Sequence, residues 1–593
     1  MKIYTENDKK QIVLETLQND KYAVSLPVTK ESLQSIVNTI NKLYGMNIVV
    51  DSDMTCINDV IEAMNNEKGL GEYTIRDFFE EICSDNRNDM AIIFDGISYT
   101  YDELYNNVLK LSVAFSKLNI HKGSKVALIL QNRIEYIFLY FALFYIGAYP
   151  VPINTRWGKQ EVYNVLDDSK VQVIVTEEKI GSLTYGQYIK EYIERDNDVQ
   201  KVIYFSENLY IEKGIAYENF IDVELRELNR EEIYPDDVAM LSYTSGTTGT
   251  PKGVMLKNND IVKISVYTTQ TWENADEDYP ISIAPLYSAQ GFLSLFINFS
   301  LGKTFKMLSS FNPNDILQEI SKNENTVIHT QPTMWSLLLN CRIINFTNFE
   351  SLSKLVVSGS LCSPELARQI EEKIGCVLLN AYGLIESTSV VTMTRPDDPY
   401  DVRMNTVGRV IPGIKIKIVD ENKQEVSHGE IGELAVKGYN MAGYYNNPDK
   451  TNEVLTSDGW LYTGDLAKYY DEENICIVGR CKDMIIRGGF NVYPSDIEEY
   501  ILQIEGVQNA AVVGKTNSVL GEEIVAFILP KAGVEINKNT IIKTLFGNLA
   551  NYKMPDKIYF VSEIPTILAG KIDKKELKKW AEEGIPEDKQ MTF

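Results

Sequence analysis

The chain has 593 residues, seven cysteines and a formal net charge of −25, with 44% of its residues hydrophobic and 24% charged. This length exceeds what one hydrophobic core can organise, so several domains are expected, and the acidic balance argues against nonspecific binding to nucleic acid or an anionic membrane. No two cysteines have CxxC spacing, which indicates reduced thiols in a cytoplasmic protein rather than a disulfide framework or a zinc site.

Residues 1–70 are predicted to form a small helical extension, which includes a helix over residues 8–20. Its first ten residues, MKIYTENDKK, contain no apolar segment of the kind found in secretory signals. Residues 29–48 and 51–66 resemble the first and last helices of acyl carrier proteins. That resemblance implies that Ser32 is a phosphopantetheine attachment site, at a helix start where phosphate is favoured. A plain helical cap is the alternative.

Residues 71–479 alternate between runs with helical periodicity and short strand-like runs such as KVALIL, VQVIVT and KVIYF. This alternation predicts a large α/β domain with parallel or mixed sheets covered by helices. The longest apolar run, at residues 136–153, is divided by Gly147 and Pro150. We therefore expect a buried helix followed by a buried strand there, not a membrane span.

Residues 480–593 are predicted to form a small α/β domain. The charged segment GRCKD, at 479–483, lies between the strand-like runs ICIVG and MIIRGG. Charged residues between two apolar runs favour a hinge over a core position, so the domain boundary is expected in this segment.

The segment YTSGTTGTPKG, at residues 243–253, is rich in hydroxyl groups and glycines and contains one lysine. Its glycines let the backbone bend so that N–H groups point inward, and such donors beside a cation suit a polyphosphate. The segment is not a Walker A loop, because GxxxxGK[ST] is absent. The flanking pattern predicts strand, loop, strand and helix; a plain hairpin without a ligand is the alternative reading.

Five more motifs follow in order: NAYGLIES (380–387), GELAVKGYNMAGYY (432–445), GWLYTGDLA (459–467), GRCKDMIIRGGFNVYPSDIEEYI (479–501) and PTILAGKIDKKEL (565–577). The ordered set, spanning about residues 72–580, resembles the adenylate-forming superfamily of acyl-CoA synthetases, peptide-synthetase adenylation domains and beetle luciferases. The fourth motif is most similar to fatty acyl-CoA ligases. The resemblance implies ATP-dependent conversion of a carboxylic acid to an acyl-adenylate, release of pyrophosphate and transfer to a thiol. It also implies ATP, Mg²⁺ and CoA, or phosphopantetheine on a carrier protein, as cofactors.

The resemblance also implies roles for individual residues. The ATP phosphates are assigned to Thr244, Ser245, Gly246, Thr247, Thr248, Gly249 and Lys252. The nucleoside is assigned to Ala381, Tyr382, Gly383, Asp465 and Arg480, with Asp465 accepting from the ribose hydroxyls. The remaining assignments are Glu386 to Mg²⁺, Lys571 to the substrate carboxylate and α-phosphate, Lys482 to the hinge, and Gly488 and Gly489 to the pantetheine arm. The acyl pocket is assigned to Tyr287, Ser288, Gln290 and Gly359.

The chain departs from the family pattern at two positions. Ile385 stands where relatives usually have a threonine that contacts the phosphates, so one donor is lost, and Ser387 and Thr388 are the nearest hydroxyls that could replace it. Ser288 stands where many relatives have a histidine after an aromatic residue, here Tyr287. The change at Ser288 is expected to affect the choice of acid more than the binding of ATP.

The acid is predicted to be aliphatic, with an aryl acid as the second choice. Residues 285–302 contain no acidic side chain to pair a substrate ammonium group, which disfavours an α-amino acid. The apolar run GFLSLFINF suits a fatty or aryl acid, unless it belongs to the core.

Loading of a carrier protein, including the chain's own amino-terminal unit, is the alternative to CoA. A non-catalytic nucleotide-binding role is disfavoured because Lys252, Glu386, Asp465, Arg480 and Lys571 are all present. We expect no nucleic-acid partner, and association as a homodimer is left open.

Overall fold

The computed structural model describes three backbone strands between residues 2 and 25 and most of residues 72–591. Within the latter range the described residues exclude 196–197, 207–210, 226–227, 229, 245–250, 273–278, 323–325, 340, 361, 489 and 568–570. The chain divides into two compact units, Met1–Tyr73 and Thr74–Phe593.

In the first unit, three short strands form an antiparallel sheet: β1 (Lys2–Glu6), β2 (Gln11–Glu15) and β3 (Lys21–Ser25). Strand β2 lies in the centre and pairs along its whole length with both neighbours. The prediction of a helix over residues 8–20 is therefore wrong for the residues of β2. Sheet pairing outweighs the weak helical spacing there, and the consecutive apolar residues of β2 suit a strand. Ser32 and the two carrier-like segments lie outside the described residues.

The strands of the second unit are β4 (Met90–Phe94), β5 (Ile97–Thr100), β6 (Lys125–Ile129), β7 (Tyr149–Pro152), β8 (Val173–Glu177), β9 (Lys201–Phe205), β10 (Gly214–Ala216), β11 (Val238–Thr244), β12 (Lys252–Lys257), β13 (Tyr279–Ser282), β14 (Phe305–Met307), β15 (Thr326–Thr330), β16 (Leu352–Val357), β17 (Val377–Leu384), β18 (Ser389–Met393), β19 (Arg409–Val410), β20 (Lys415–Val419), β21 (Gly432–Lys437), β22 (Gly443–Tyr444), β23 (Leu461–Tyr469), β24 (Ile475–Arg480), β25 (Ile485–Arg487), β26 (Phe490–Val492), β27 (Val507–Asn517), β28 (Gly521–Pro530), β29 (Lys557–Phe560), β30 (Thr566–Ile567) and β31 (Lys571–Ile572).

Its helices are α1 (Ile75–Asp85), α2 (Tyr101–Lys117), α3 (Ile134–Tyr145), α4 (Lys159–Ser169), α5 (Tyr185–Ile193), α6 (Tyr217–Phe220), α7 (Asn258–Thr271), α8 (Ala289–Ser300), α9 (Pro313–Lys322), α10 (Pro332–Leu339), α11 (Pro364–Ile374), α12 (Tyr400–Asn405), α13 (Pro448–Val454), α14 (Pro494–Leu502), α15 (Lys538–Asn548) and α16 (Lys574–Glu583). Short 3₁₀ turns span Arg342–Phe346, Ile385–Ser387, Cys481–Asp483 and Asn551–Lys553.

Two sheets with parallel cores organise the large part of this unit, as the sequence predicts. One is all parallel, in the order β10-β9-β8-β6-β7. The other runs β19-β18-β17-β16-β15-β13-β14-β4-β5; its centre is parallel, and β5, β18 and β19 pair antiparallel at its edges. Helices connect successive parallel strands, which gives the α/β class.

The long apolar run is a helix followed by a strand, as expected. Every residue of α3 except Glu135 is buried, and β7, which pairs with β6 at one edge of the first sheet, is buried at three of its four residues. A positive φ at Gly147 allows the turn between helix and strand. Within the described residues, the helices are too short or too polar to cross a bilayer.

The last part of the unit has its own sheet and core. Strands β20, β21, β23 and β24 form an antiparallel sheet, and the chain then passes through the Cys481–Asp483 turn into β25. Strand β25 belongs to a separate sheet, β26-β25-β28-β27, to which β29 adds in parallel. A small hairpin of β30 and β31 precedes α16 and carries Lys571.

Candidate active site

Strands β11 and β12 form the hairpin that carries the predicted phosphate loop. Thr244 and Lys252 lie opposite each other where the two strands separate, and both line the main cleft. The order β11, loop, β12 and α7 is the one predicted from the sequence. The loop between them, with Ser245, Gly246, Thr247, Thr248 and Gly249, lies outside the described residues, so its assignment to phosphates stays a prediction.

A buried tyrosine fixes this hairpin to the large domain. Tyr243 Oη donates to Asp168 Oδ2 at 2.5 Å, and burial together with this carboxylate raises the pKa of the phenol, which stays a donor. A side chain at Gly253 would place its Cβ 2.9 Å from Tyr243 Cζ, so the glycine leaves room for the ring.

Tyr444 connects the hairpin to the carboxylate that the sequence assigns to the metal. Lys252 Nζ lies 4.7 Å from the centre of the Tyr444 ring, and Tyr444 Oη donates to Glu386 Oε1 at 3.0 Å. The backbone of Glu386 is held as well, because its carbonyl accepts from Met441 N at 2.8 Å. Sequence reasoning missed Tyr444, although the motif GELAVKGYNMAGYY contains it.

Neither of the two nearest hydroxyls takes the place of the missing threonine hydroxyl at Ile385. Ile385 itself lines the cleft. Ser387 is 1% exposed, and its hydroxyl donates to the carbonyl of Leu384 at 3.0 Å. Thr388 is 4% exposed, and neither it nor Ser387 is among the described residues that line the cleft. The suggestion that one of these two hydroxyls replaces the donor is therefore not supported by the geometry.

A preorganised carboxylate lies at the predicted nucleoside site. Tyr382 Oη donates to Asp465 Oδ2 at 2.7 Å, while Arg480 Nε lies 3.3 Å from Asp465 Oδ1. Asp465 and Arg480 face each other across the β23–β24 pair. Ala381, Tyr382 and Gly383 follow one another on β17, and a Cβ at Gly383 would overlap the carbonyl oxygen of Ser389. These residues all line the cleft.

Three cations converge on this carboxylate. Lys571 lines the same cleft as Arg480 and Lys482, although it comes from the β30–β31 hairpin of the small domain. Burial and the positive charge of Arg480, against the opposing effect of Asp465, lower the pKa of Lys571 to about 8. Burial and Arg480 also lower the pKa of Lys482. Such a site favours the arrival of anions, since each cation destabilises the next.

Three of the four predicted acyl-pocket residues lie at the start of α8, and the fourth, Gly359, follows β16. Ser288 caps this helix: its hydroxyl accepts from Gly291 N at 3.1 Å and donates to the carbonyl of Pro285 at 2.7 Å. Tyr287, Ser288, Gln290 and Gly359 all line the cleft. The apolar residues of GFLSLFINF do not: Phe292, for example, packs on Tyr140. The alternative that this run belongs to the core is therefore the better reading.

A buried histidine, which lies outside all of the sequence motifs, links α8 to the second sheet. His329 Nδ1 lies 2.9 Å from Ser294 Oγ, and its Nε2 lies 2.6 Å from Ser358 Oγ. Burial lowers the pKa of His329 to about 4, so the ring is neutral. Ser358, beside Gly359, lines the cleft.

One assigned position, Gly488, does not line the cleft. Gly488 lies in the turn between β25 and β26, where its N–H donates to the carbonyl of Leu520 at 2.7 Å, and it is not among the described cleft-lining residues. Its neighbour Gly489 lies outside the described residues. The cleft has a volume of about 2540 Å³ and is lined from both the large and the small domain.

Comparison with known proteins yields matches along most of the chain. A model described as AMP-binding enzyme matches residues 79–445, and one described as AMP-binding enzyme C-terminal domain matches residues 496–571. The mitochondrial medium-chain acyl-CoA ligase ACSF2 of Mus musculus is 30% identical, covering 84% of this chain and 86% of its own. A long-chain-fatty-acid–CoA ligase of Escherichia coli O157:H7 is 29% identical, covering 85% and 93%. The crystal structure of ATP-bound MatB from Rhodopseudomonas palustris is 25% identical, with a TM-score of 0.79 over 86% of this chain and 100% of that one.

Proposed function

Because this chain belongs to the AMP-binding enzyme family and is an AMP-forming acid–thiol ligase, we propose that it activates an acid with an aliphatic or aromatic body and transfers it to CoA. The carboxylate oxygen of the acid attacks the α-phosphorus of ATP, and the bond to the bridging oxygen breaks to release pyrophosphate. In a second step the thiol sulfur attacks the acyl carbon and AMP leaves. No covalent link to the enzyme is needed.

The convergence of Arg480, Lys482 and Lys571 on Asp465 carries this proposal. A carboxylate that approaches an anionic phosphate must overcome like-charge repulsion, and cations fixed in a water-poor cleft offset it. Lys571 is the group best suited to lie between the two reactants. Its lowered pKa means that the empty site holds the ammonium at a cost, which bound anions would remove.

The other half of the cleft suits the pyrophosphate. Thr244 and Lys252, with the intervening loop, would hold the β- and γ-phosphates. Glu386 would hold Mg²⁺ and supply it with one hard oxygen; a single carboxylate is enough because Mg²⁺ commonly takes its remaining ligands from phosphate and water. When bound, the ion would neutralise phosphate charge. Asp465, kept oriented by Tyr382, would accept from the ribose hydroxyls.

We propose that the thiol step uses a different placement of the small domain, with the hinge at Lys482. Gly488 lies outside the cleft here, whereas its family role is beside the pantetheine arm. Rotation about the Cys481–Asp483 turn would withdraw Lys571 and bring Gly488 and Gly489 forward. The same domain would thereby serve both steps.

The proposal is tested by incubating the full chain with ATP, Mg²⁺, CoA and octanoate or benzoate, and by detecting acyl-CoA and AMP by mass spectrometry. We expect acyl-CoA to form without any other protein. Formation of acyl-adenylate but no acyl-CoA would instead favour a carrier thiol as acceptor. A phosphopantetheine-sized mass increase after treatment with a phosphopantetheinyl transferase, absent in Ser32→Ala, would identify the chain's own amino-terminal unit as that carrier.

A further inference from the structure

We propose that the acid carries an uncharged hydroxyl group, which hydrogen-bonds to the carboxamide of Gln290. This inference rests on the proposed function and names the substrate class more closely. Gln290 is the second residue of α8, and it lines the cleft beside Tyr287 and Ser288.

The side chain of Gln290 is buried without a hydrogen-bond partner. It is 8% exposed, and its Nε2 and Oε1 have almost no exposed area and no hydrogen-bond partner among the described residues. A ligand group therefore reaches them only when the side chain turns towards the cleft. Burying an amide without partners is costly, and folded proteins leave few such groups. A side chain that keeps two donors and an acceptor unused at the wall of a ligand cleft is best explained by a partner that arrives with the ligand.

The neighbouring polar side chains of Ser294, His329 and Ser358 have hydrogen-bond partners, so within this group the lack of a partner is particular to Gln290. Ser294 lies one turn further along α8, on the same helix face, and its hydroxyl is satisfied by His329, whose other nitrogen meets Ser358. Of these two polar side chains on one face of α8, Ser294 therefore has its hydrogen-bond partner within the protein, whereas Gln290 has none among the described residues.

The substrate group that pairs with Gln290 is neutral, and it can both donate and accept a hydrogen bond. Tyr287, Gln290, Gln331 and Ser358, which line this part of the cleft, carry no formal charge, and the buried imidazole of His329 is neutral. The charge that acts on Tyr287 is that of Arg156, which is not among the described residues that line the cleft. The cations Arg480, Lys482 and Lys571 surround Asp465 at the nucleoside site instead. A charged substituent here would lose its hydration without compensation. A hydroxyl is the smallest neutral group that can use either the carbonyl or the amino end of a carboxamide.

The experiment compares matched acids in acid-dependent pyrophosphate–ATP exchange. The pairs are octanoate with its 2-, 3- and 8-hydroxy derivatives, and benzoate with the three hydroxybenzoates. For at least one isomer we expect wild-type kcat/KM to exceed that of the parent acid by about tenfold or more, since a site built to hydrogen-bond a hydroxyl rejects the analogue without it. In Gln290→Leu this preference disappears: the ratio of kcat/KM for the hydroxyl acid to that for the parent acid falls to about one, whatever the rate with the parent acid.

Gln369→Leu is the matched control. Gln369 also lines the cleft, but its carboxamide already donates to Glu365 Oε1 at 2.7 Å, so its removal leaves the preference unchanged. Thermal unfolding of the ligand-free protein gives a readout independent of turnover. Gln290→Leu raises the midpoint because it removes an unpaired buried amide.

The possible results distinguish failure of the hydroxyl-acid inference from failure of the proposed function. Exchange that shows no preference for any hydroxylated acid, or a preference that survives in Gln290→Leu, overturns the inference while the proposed function stands. A lowered unfolding midpoint in Gln290→Leu also counts against it, since the carboxamide would then be a structural group. Absence of exchange with every acid contradicts the proposed function itself, and the inference fails with it.

Discussion

Binding of ATP is expected to be accompanied by proton uptake at Lys571. In the empty cleft, burial and the neighbouring Arg480 lower the pKa of this lysine from 10.5 to about 8. The displacement corresponds to roughly 3 kcal/mol against the charged form. The triphosphate brings several negative charges to this position and restores the ordinary preference for the ammonium. At pH 8 about half of the Lys571 side chains are neutral before binding and nearly all are charged afterwards.

Isothermal titration calorimetry measures this uptake. ATP is titrated at pH 8 in buffers of high and low ionisation enthalpy, and the slope of apparent binding enthalpy against ionisation enthalpy gives the number of protons taken up. We expect Lys571 to take up about half a proton at pH 8, given by the difference between the wild type and Lys571→Met, and almost none at pH 6.5, where this lysine is already charged. In Lys571→Met the uptake at pH 8 decreases sharply.

Lys423→Met is the matched control, because Lys423 also lines the cleft but forms an ion pair with Glu433 at 2.5 Å. The proton uptake of Lys423→Met on binding ATP at pH 8 should equal that of the wild type. A wild-type slope of zero at pH 8 would refute the reasoning, and so would an undiminished slope in Lys571→Met. Either result would mean that ATP binds without approaching this lysine.

Three other substitutions test separate parts of the account. Lys571→Ala should reduce adenylate formation by about a hundredfold or more while largely sparing thiolysis of supplied acyl-adenylate; equal loss of both steps argues against a small domain that serves them in turn. Tyr382→Phe removes the 2.7 Å bond that orients Asp465 and should raise KM for ATP about tenfold, and an unchanged KM would show that this carboxylate does not bind nucleotide. His329 has a folded-state pKa of about 4, below its ordinary 6.5, so the unfolded chain gains a proton first as pH falls. Its contribution to stability is present above pH 6.5 and declines by up to roughly 3 kcal/mol towards pH 4; His329→Gln should flatten that part of the curve of urea midpoint against pH, and an unaltered curve would contradict a neutral buried ring.

The sequence predicts the elements of this protein better than it predicts contacts between them. The order β11, loop, β12 and α7 follows from local glycine and hydrophobic patterning, and the buried pair α3 and β7 follows from one long apolar run broken by Gly147. These features depend on neighbours in the chain. The strand β2 was missed because its pairing with β1 and β3 outweighs a weak helical pattern.

Contacts across long separations could not be predicted in this way. The hydrogen bond from Tyr444 to Glu386 joins residues 58 positions apart, and the approach of Lys252 to the same ring depends on pairing of β12 with β22. The placement of His329 between Ser294 and Ser358 requires both the register of the second sheet and the rotation of α8. The ordered motifs predict which residues form the site, whereas the hydrogen bonds and contacts between these residues depend on the fold.

The rotation of α8 also changes how the acid pocket is understood. An apolar run suggested an apolar ligand, but its aromatic side chains pack inward on α3. The face that remains towards the cleft presents Gln290. Composition alone cannot distinguish a helix that lines a pocket from one that fills the core.

Acid-dependent exchange of pyrophosphate into ATP, measured on the full chain with a panel of aliphatic, hydroxylated and aryl acids, tests the central claim most directly. The account predicts exchange with at least one acid in the presence of Mg²⁺, and its loss in Lys571→Ala. No exchange with any acid would contradict it and would identify Ile385, where the family's threonine is missing, as the first place to seek the reason.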